Sequence, residues 1–258
     1  MDARSEPDLQ GAFKSYKIMD KDIRLSIIIP AYNEEDRIVT TLDQTRAYLS
    51  RQAYRCEILV VSDGSSDGTG QVVNGYPSDD KTAIRFLEYF PNRGKGYAVR
   101  YGMCKGAGDV IMFMDADYSV PIEAVEKGIA LLENGHDAAI ASRALPESNV
   151  AHHQNLFREL SAKLYTFIQN TYLGFNYPDT QCGFKLFTRK AAYDLFARQR
   201  LDSVIFDPEI LWLAKRQGYT VSQFPVDWTH MEDSRIQYDS LRKSLFVFQE
   251  LFRIRTLH

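Results

Sequence analysis

Short apolar runs that end in polar clusters set the rhythm of this chain. Leu25 to Pro30 reads Leu-Ser-Ile-Ile-Ile-Pro, and Glu57 to Val61, Ala83 to Tyr89, Val110 to Met114 and Ala138 to Ala141 continue the series. Runs of this length predict strands, and unbroken apolar character predicts burial on both faces. Between them, Tyr97 to Lys105 and Ile122 to Glu133 carry a helical pattern. Strands alternating with helices predict right-handed crossovers and a single α/β domain with a mainly parallel central sheet flanked by helices. Met1 to Asp22 mix charges with Pro7 and Gly11 and show no sustained periodicity, which predicts a mobile leader over 1–22 before a body over 23–238. The pattern Leu156, Leu160, Leu164, Phe167, Ile168 predicts a helix facing the core. A second amphipathic pattern, over 239–258, interleaves Leu241, Leu245, Phe246, Phe248, Leu251, Phe252 and Ile254 with Arg242, Lys243, Arg253 and Arg255. Such a helix either packs on the body or lies at a membrane surface.

The polar clusters carry the candidate chemistry. After Val110 to Met114 come Asp115 and Asp117, flanking Ala116, so a buried strand ends by presenting two carboxylates. Open α/β sheets bind ligands at the carboxyl ends of their strands, and a divalent cation is the natural partner for such a pair. The plainer alternative is a solvated turn closed by Pro121. The first strand runs into Pro30-Ala31-Tyr32-Asn33-Glu34-Glu35, and the second into Ser62-Asp63-Gly64-Ser65-Ser66-Asp67-Gly68-Thr69. Asn33 and Ser66 suit helix N-caps and Asp67 a first turn. Capping leaves unexplained why acidic and small polar residues gather at three successive strand ends. A nucleotide would explain it, with Tyr32 stacking on a base, Asp63 accepting from its ring N–H and Glu34 accepting from a ribose hydroxyl. Asn92-Arg93-Gly94-Lys95-Gly96 then opens a helix, where Lys95 and the helix N-terminus favour an anion and the glycines admit close backbone approach. Neither the Walker spacing nor G-x-G-x-x-G is present, so both of those nucleotide classes drop out.

Composition narrows the partners. With 258 residues, 45% of them hydrophobic, the chain can bury a full core. A net charge of -3 and a pI near 6.0 provide no global basic field, which argues against nucleic acid as a partner. Cys56, Cys104 and Cys182 are odd in number and form no C-x-x-C pair, as expected in a reducing, cytoplasmic compartment. No apolar run approaches the roughly 18 residues of a membrane span, so the expectation is a soluble protein or a peripheral one on the cytoplasmic face of a membrane.

Taken in order, Pro30 to Glu35, Asp63 to Thr69, Gly94-Lys95-Gly96 and Asp115-Ala116-Asp117 resemble the signature of the family-2 inverting glycosyltransferases with the GT-A fold. Asp179-Thr180-Gln181-Cys182-Gly183-Phe184-Lys185-Leu186-Phe187, Phe206-Asp207-Pro208-Glu209, Val226-Asp227-Trp228 and Ser234-Arg235 resemble the branch containing dolichyl-phosphate β-glucosyltransferase. The resemblance runs from about Leu25 to Arg255. It implies a uridine site on Pro30, Ala31, Tyr32, Glu34 and Asp63, with Gly94, Lys95 and Ala116 lining the donor. It also implies Mg2+ or Mn2+ at the Asp-x-Asp loop with Asp117 as direct ligand, an acceptor phosphate held by Arg143 and Arg158, and Arg235 as a cation near the diphosphate. The implied reaction moves a hexose, glucose from UDP-glucose being favoured, onto a polyprenyl phosphate.

Reaction chemistry separates the possible acceptors. A phosphate monoester is already an anion at pH 7 and can attack without a general base once arginines align it. The rival acceptor is soluble, either the phosphate of a small metabolite or a hydroxyl. The hydroxyl would need a base, for which Asp207 or Glu209 is the residue to test, although Asp207-Pro208 also reads as a helix N-cap followed by proline at the first helical position. His230 could complete the metal shell or touch the diphosphate, and Cys182 is best read as a small buried filler. The rival of another class is a non-catalytic sugar-nucleotide-binding protein.

Overall fold

Each predicted apolar run is a strand. They are β1 (Ile23–Ala31), β2 (Arg55–Ser62), β3 (Thr82–Glu88), β4 (Val110–Met114) and β5 (Ala138–Ser142). Between them lie α1 (Ile38–Leu49), α2 (Thr69–Asn74), α3 (Lys95–Met103) and α4 (Val125–Glu133). The chain continues through β6 (Asn149–Ala151), α5 (Leu156–Leu173), β7 (Phe184–Thr188), α6 (Arg189–Arg198), α7 (Phe206–Gln217), β8 (Val221–Pro225), β9 (Asp227–Thr229) and α8 (Leu241–Leu257). The computed structural model describes residues 22–151, 156–230 and 241–258, with 151, 156–162 and 241–244 described by backbone alone. The leader expected over 1–22 falls outside the described residues except for Asp22, and Arg235 does too.

Seven strands form one sheet in the order β3-β2-β1-β4-β7-β5-β8. β7 runs antiparallel to both of its neighbours, and the remaining pairs are parallel. β6 and β9 pair separately as a small parallel ribbon. Successive side chains of a strand point to opposite faces. Ile27, Ile29, Val60 and Met112 accordingly join one core beneath α1 and α4, while Ile28, Val61 and Phe113 join a second with residues of α3, α6 and α7. Burial on both faces explains why these strands read as unbroken apolar runs.

This topology fixes where the polar clusters meet. β1 to β5 all run in one direction, so the loops after them share one sheet edge. β7 runs the other way and pairs Phe184 with Met114, which brings its leading residues Cys182 and Gly183 to that same edge, beside Asp115. Pro30 sits past the last β1–β4 pair, Ile28 with Phe113, so its missing N–H costs the ladder nothing on that side.

One helix expectation differs in part. Leu164 and Phe167 of α5 are 57% and 67% exposed rather than core, because no described element covers that side of the helix. On α8, Val247, Leu251 and Ile254 are buried against the body, while Leu245, Phe246 and Phe252 remain exposed. Among the described residues no helix is long and apolar enough to cross a membrane.

Candidate active site

The loops after β1 and β2 are stitched to each other as well as to their helices, Asp67 Oδ1 accepting from Thr69 N at the start of α2 at 3.0 Å. α1 begins at an Arg37 N-cap and α2 at a Gly68 N-cap, neither with a side-chain cap bond, so Asn33 and Ser66 do not cap. Instead Asn33 Oδ1 accepts from Ser66 N at 2.8 Å, Ser65 Oγ accepts from Asn33 N at 3.1 Å and Thr69 Oγ1 accepts from Glu34 N at 2.9 Å. Asn33 takes a left-handed φ of 54° to make this turn, an uncommon conformation that the surrounding bonds stabilise. The stitching accounts for part of the polar composition. Tyr32 remains 44% exposed at the strand end, free to stack. Glu34 is held bidentately by Arg37, at 2.6 and 2.7 Å, so a ribose hydroxyl would share that carboxylate.

Asp63 anchors the next loop. Its Oδ1 accepts from Tyr89 Oη at 2.9 Å and Arg93 N at 2.7 Å, and its Oδ2 accepts from Gly94 N at 2.9 Å. A base N–H would be a further donor to an already anchored carboxylate. The glycines flanking Lys95 make room for the protein's own backbone. Gly94 has φ 107°, a Cβ on it would lie 2.5 Å from Asp202 O, and one on Gly96 would lie 2.6 Å from Ser203 O. The 201–203 backbone therefore packs onto this turn and locks the start of α3.

At the end of β4 the two aspartates flank buried Ala116, whose carbonyl accepts from Thr41 Oγ1 of α1 at 2.6 Å. Tyr118 takes a left-handed φ of 55°, and Asp117 Oδ1 accepts from Ser119 N at 3.0 Å. Asp115 receives the Lys95 ammonium at 2.5 Å, with 28% of its side chain and 22% of the lysine's exposed. Burial pulls the Lys95 pKa down, but Asp115 and then Asp207 outweigh it, so the ammonium stays charged. Two carboxylates at one strand end, one already holding a cation, form a hard oxygen donor set suited to Mg2+ or Mn2+.

His230 does not complete that set. Among the described residues no three His, Cys, Asp or Glu side chains converge as a metal site. Asp115 is engaged with Lys95, and the His230 ring lies beside Trp228, 5.7 Å between centroids. The bond from Thr229 N to Ser119 O at 3.0 Å does place the His230 backbone next to the Asp117 turn.

Arg143, just past β5, faces the same edge. Its guanidinium is bound bidentately by Asp179 at 2.7 and 2.9 Å and lies 5.4 Å from the Trp228 ring centroid. Burial alone would raise the Asp179 pKa, but the guanidinium beside it holds the carboxyl at about 2. Of Arg158 only the backbone, in α5, is described. Burial pushes the Cys182 thiol up to about 12, leaving an inert filler.

The Asp207 region departs from the helix-cap expectation. α7 starts at Phe206, so Pro208 is its third residue, and Asp207 is 3% exposed with Lys185 Nζ at 2.6 Å. Burial raises the Asp207 carboxyl pKa against the opposing pull of Lys185 and Lys95. Glu209 is fully buried, accepting from Arg200 N and Leu201 N at 2.7 and 2.9 Å and pairing with the His258 ring at 2.7 Å. Lys185 is the site residue that residue-by-residue reading overlooked. A cation inside a strand of apolar neighbours was the available signal.

Residues 26–196 match the family described as glycosyl transferase family 2. This chain belongs to that family. It is 36% identical over 226 residues to the dolichyl-phosphate beta-glucosyltransferase of Drosophila melanogaster, covering 83% of this chain and 69% of the relative. The human dolichyl-phosphate beta-glucosyltransferase is 34% identical over 227 residues, covering 83% and 69%. Among solved structures, glucosyl-3-phosphoglycerate synthase from Mycobacterium tuberculosis, in complex with Mn2+, UDP-glucose and phosphoglyceric acid, superposes with a TM-score of 0.65 at 18% identity, covering 97% and 86%. The chain is thus a glycosyltransferase of GT-A fold.

Proposed function

We propose that this glycosyltransferase moves glucose from UDP-glucose, with inversion, onto a polyprenyl phosphate of the dolichyl type. The observation that favours a phosphate over a hydroxyl as acceptor is the state of the two candidate bases. Asp207 is sealed against Lys185 at 2.6 Å, and Glu209 is consumed by two backbone N–H groups and His258. A hydroxyl acceptor would need one of them free, whereas a phosphate monoester arrives as a nucleophilic anion. The substrates named for the Drosophila and human relatives agree with this reading.

On the donor side, Tyr32 stacks on the uracil, with Asp63 and Glu34 accepting from base and ribose and Pro30 and Ala31 forming the floor. The Lys95 ammonium is the cation proposed for the diphosphate, and Arg235 is proposed as a second one. Mg2+ or Mn2+ on Asp115 and Asp117 would supply a hard Lewis acid that offsets the charge growing on the departing diphosphate. Arg143, with Arg158, orients the acceptor phosphate for in-line attack on the anomeric carbon, the C–O bond to UDP breaking as the new one forms. No proton need be removed from the acceptor.

A polyprenyl tail needs an apolar neighbourhood. Exposed Leu164 and Phe167 on α5, with Leu245, Phe246 and Phe252 on α8, support peripheral contact with the cytoplasmic face of a membrane. The test offers the purified full chain a panel of UDP- and GDP-sugars with Mn2+ and three acceptors: a short polyprenyl phosphate, phosphoglycerate and a free sugar. Lipid-linked glucose from UDP-glucose is the expected product. Transfer to phosphoglycerate or the sugar, with none to the lipid, would overturn the acceptor.

A further inference from the structure

Two lysine–carboxylate pairs sit in one cluster, yet only one of them can exchange partners. Lys185 and Asp207 are buried to side-chain exposures of 1% and 4% at 2.6 Å, and Lys185 Nζ also donates to Cys182 O at 2.6 Å. Lys95 and Asp115 are closer to water, at 22% and 28%. The Asp115 oxygen that Lys95 occupies belongs to the carboxylate a divalent cation would use, and an ammonium and a divalent cation on one carboxylate repel each other.

Geometry decides which partner gives way. Asp115 N donates to Gly183 O at 3.0 Å, and a Cβ on Gly183 would lie 2.1 Å from Asp115 Oδ2, so the carboxylate rests directly on the β7 lead-in. The Lys95 backbone is equally fixed, by the Asp63 bonds to Arg93 N and Gly94 N and by the 201–203 backbone against Gly94 and Gly96. The long Lys95 side chain is what can move. Asp207, clamped by Lys185, adds a second negative charge acting on Lys95 and holds the ammonium within the site.

We propose that Lys95 is the resident counter-cation of Asp115 and leaves it for the donor diphosphate when the metal arrives, so that metal and nucleotide bind cooperatively through this one side chain. The inference rests on the metal-and-UDP reading above. By linkage, the factor by which UDP tightens the metal equals the factor by which the metal tightens UDP.

The test measures Mn2+ binding to the full chain by loss of the free-ion EPR signal, with and without UDP, for wild type, Lys95→Met and Lys95→Arg. In wild type, UDP is expected to tighten Mn2+ about tenfold or more. Lys95→Met should tighten Mn2+ alone by about tenfold and shrink the effect of UDP, while Lys95→Arg keeps the wild-type pattern. Thermal unfolding of each variant checks that it is folded. If Lys95→Met leaves Mn2+ binding without UDP unchanged or weaker while wild type still binds Mn2+ with UDP, the exchange is wrong and the metal reading stands. If wild type binds no Mn2+ even with UDP, both fall.

Discussion

The pair Lys185–Asp207 and the pair Lys95–Asp115 use the same two chemical groups at nearly the same distance, 2.6 and 2.5 Å, but one is sealed and the other reaches water. Sealing makes a pair structural, because breaking it strands a charge in the core. Exposure makes a pair exchangeable, because water and incoming ions compete for each partner. The contrast teaches that a cluster of charges at a sheet edge divides into a frame and a working part, and that accessibility rather than residue type draws the line.

The largest expected effect breaks the frame. Lys185→Met should destabilise the fold by about 3–5 kcal/mol in denaturant titrations, and adding Asp207→Leu should restore much of it by removing the stranded carboxylate. If the single variant unfolds like wild type, the pair is not sealed. Next, Asp117→Ala should lower transfer by roughly a hundredfold or more, since it removes the expected metal ligand, while losing only the one half-buried bond from Ser119 N and so costing about 1 kcal/mol of stability. Full activity in that variant would remove Asp117 from the chemistry.

Acid offers a third probe through Asp179. Its carboxyl is held at about 2 in the folded chain, below the ordinary value near 3.8, so the Arg143 pair stabilises the fold above pH 4 and that contribution is lost as pH falls through about 2. Asp179→Asn should flatten the acid limb of a stability–pH curve by on the order of 2 kcal/mol, and an unchanged limb would contradict the assignment. Lys95→Met, by contrast, should cost under about 1 kcal/mol of stability, as expected for a partly exposed pair. Smallest of all, Leu164→Ser with Phe167→Ser should leave the melting temperature within a few degrees while reducing flotation with anionic vesicles. Unchanged flotation would free that face from the membrane reading.

Much of the donor edge was legible in the sequence because its physics is local. Apolar runs buried on both faces announce β1, β2 and β4, and Asp115 and Asp117 follow directly from where β4 stops. Pairings between distant residues were not legible. Lys185 makes sense only beside Asp207, 22 residues away, and the Arg143–Asp179 clamp spans 36. A charged residue within Phe184–Thr188 also interrupts the apolar run that would have announced β7, the strand that reverses direction and carries Gly183 to Asp115. The helical period correctly marks α5 as amphipathic, but whether anything covers Leu164 and Phe167 is a property of the assembled fold. The glycines beside Lys95 likewise gave no hint that they make room for residues 201–203, a hundred positions on.

Glucose transfer at the Asp115–Asp117 edge is proposed to depend on a divalent cation. The most direct measurement follows lipid-linked glucose formed from UDP-glucose and a short polyprenyl phosphate after EDTA treatment and after Mn2+ or Mg2+ is restored. Transfer lost in EDTA and recovered with the metal, in wild type but not in Asp117→Ala, is the predicted result. Transfer that continues undiminished in EDTA would contradict it.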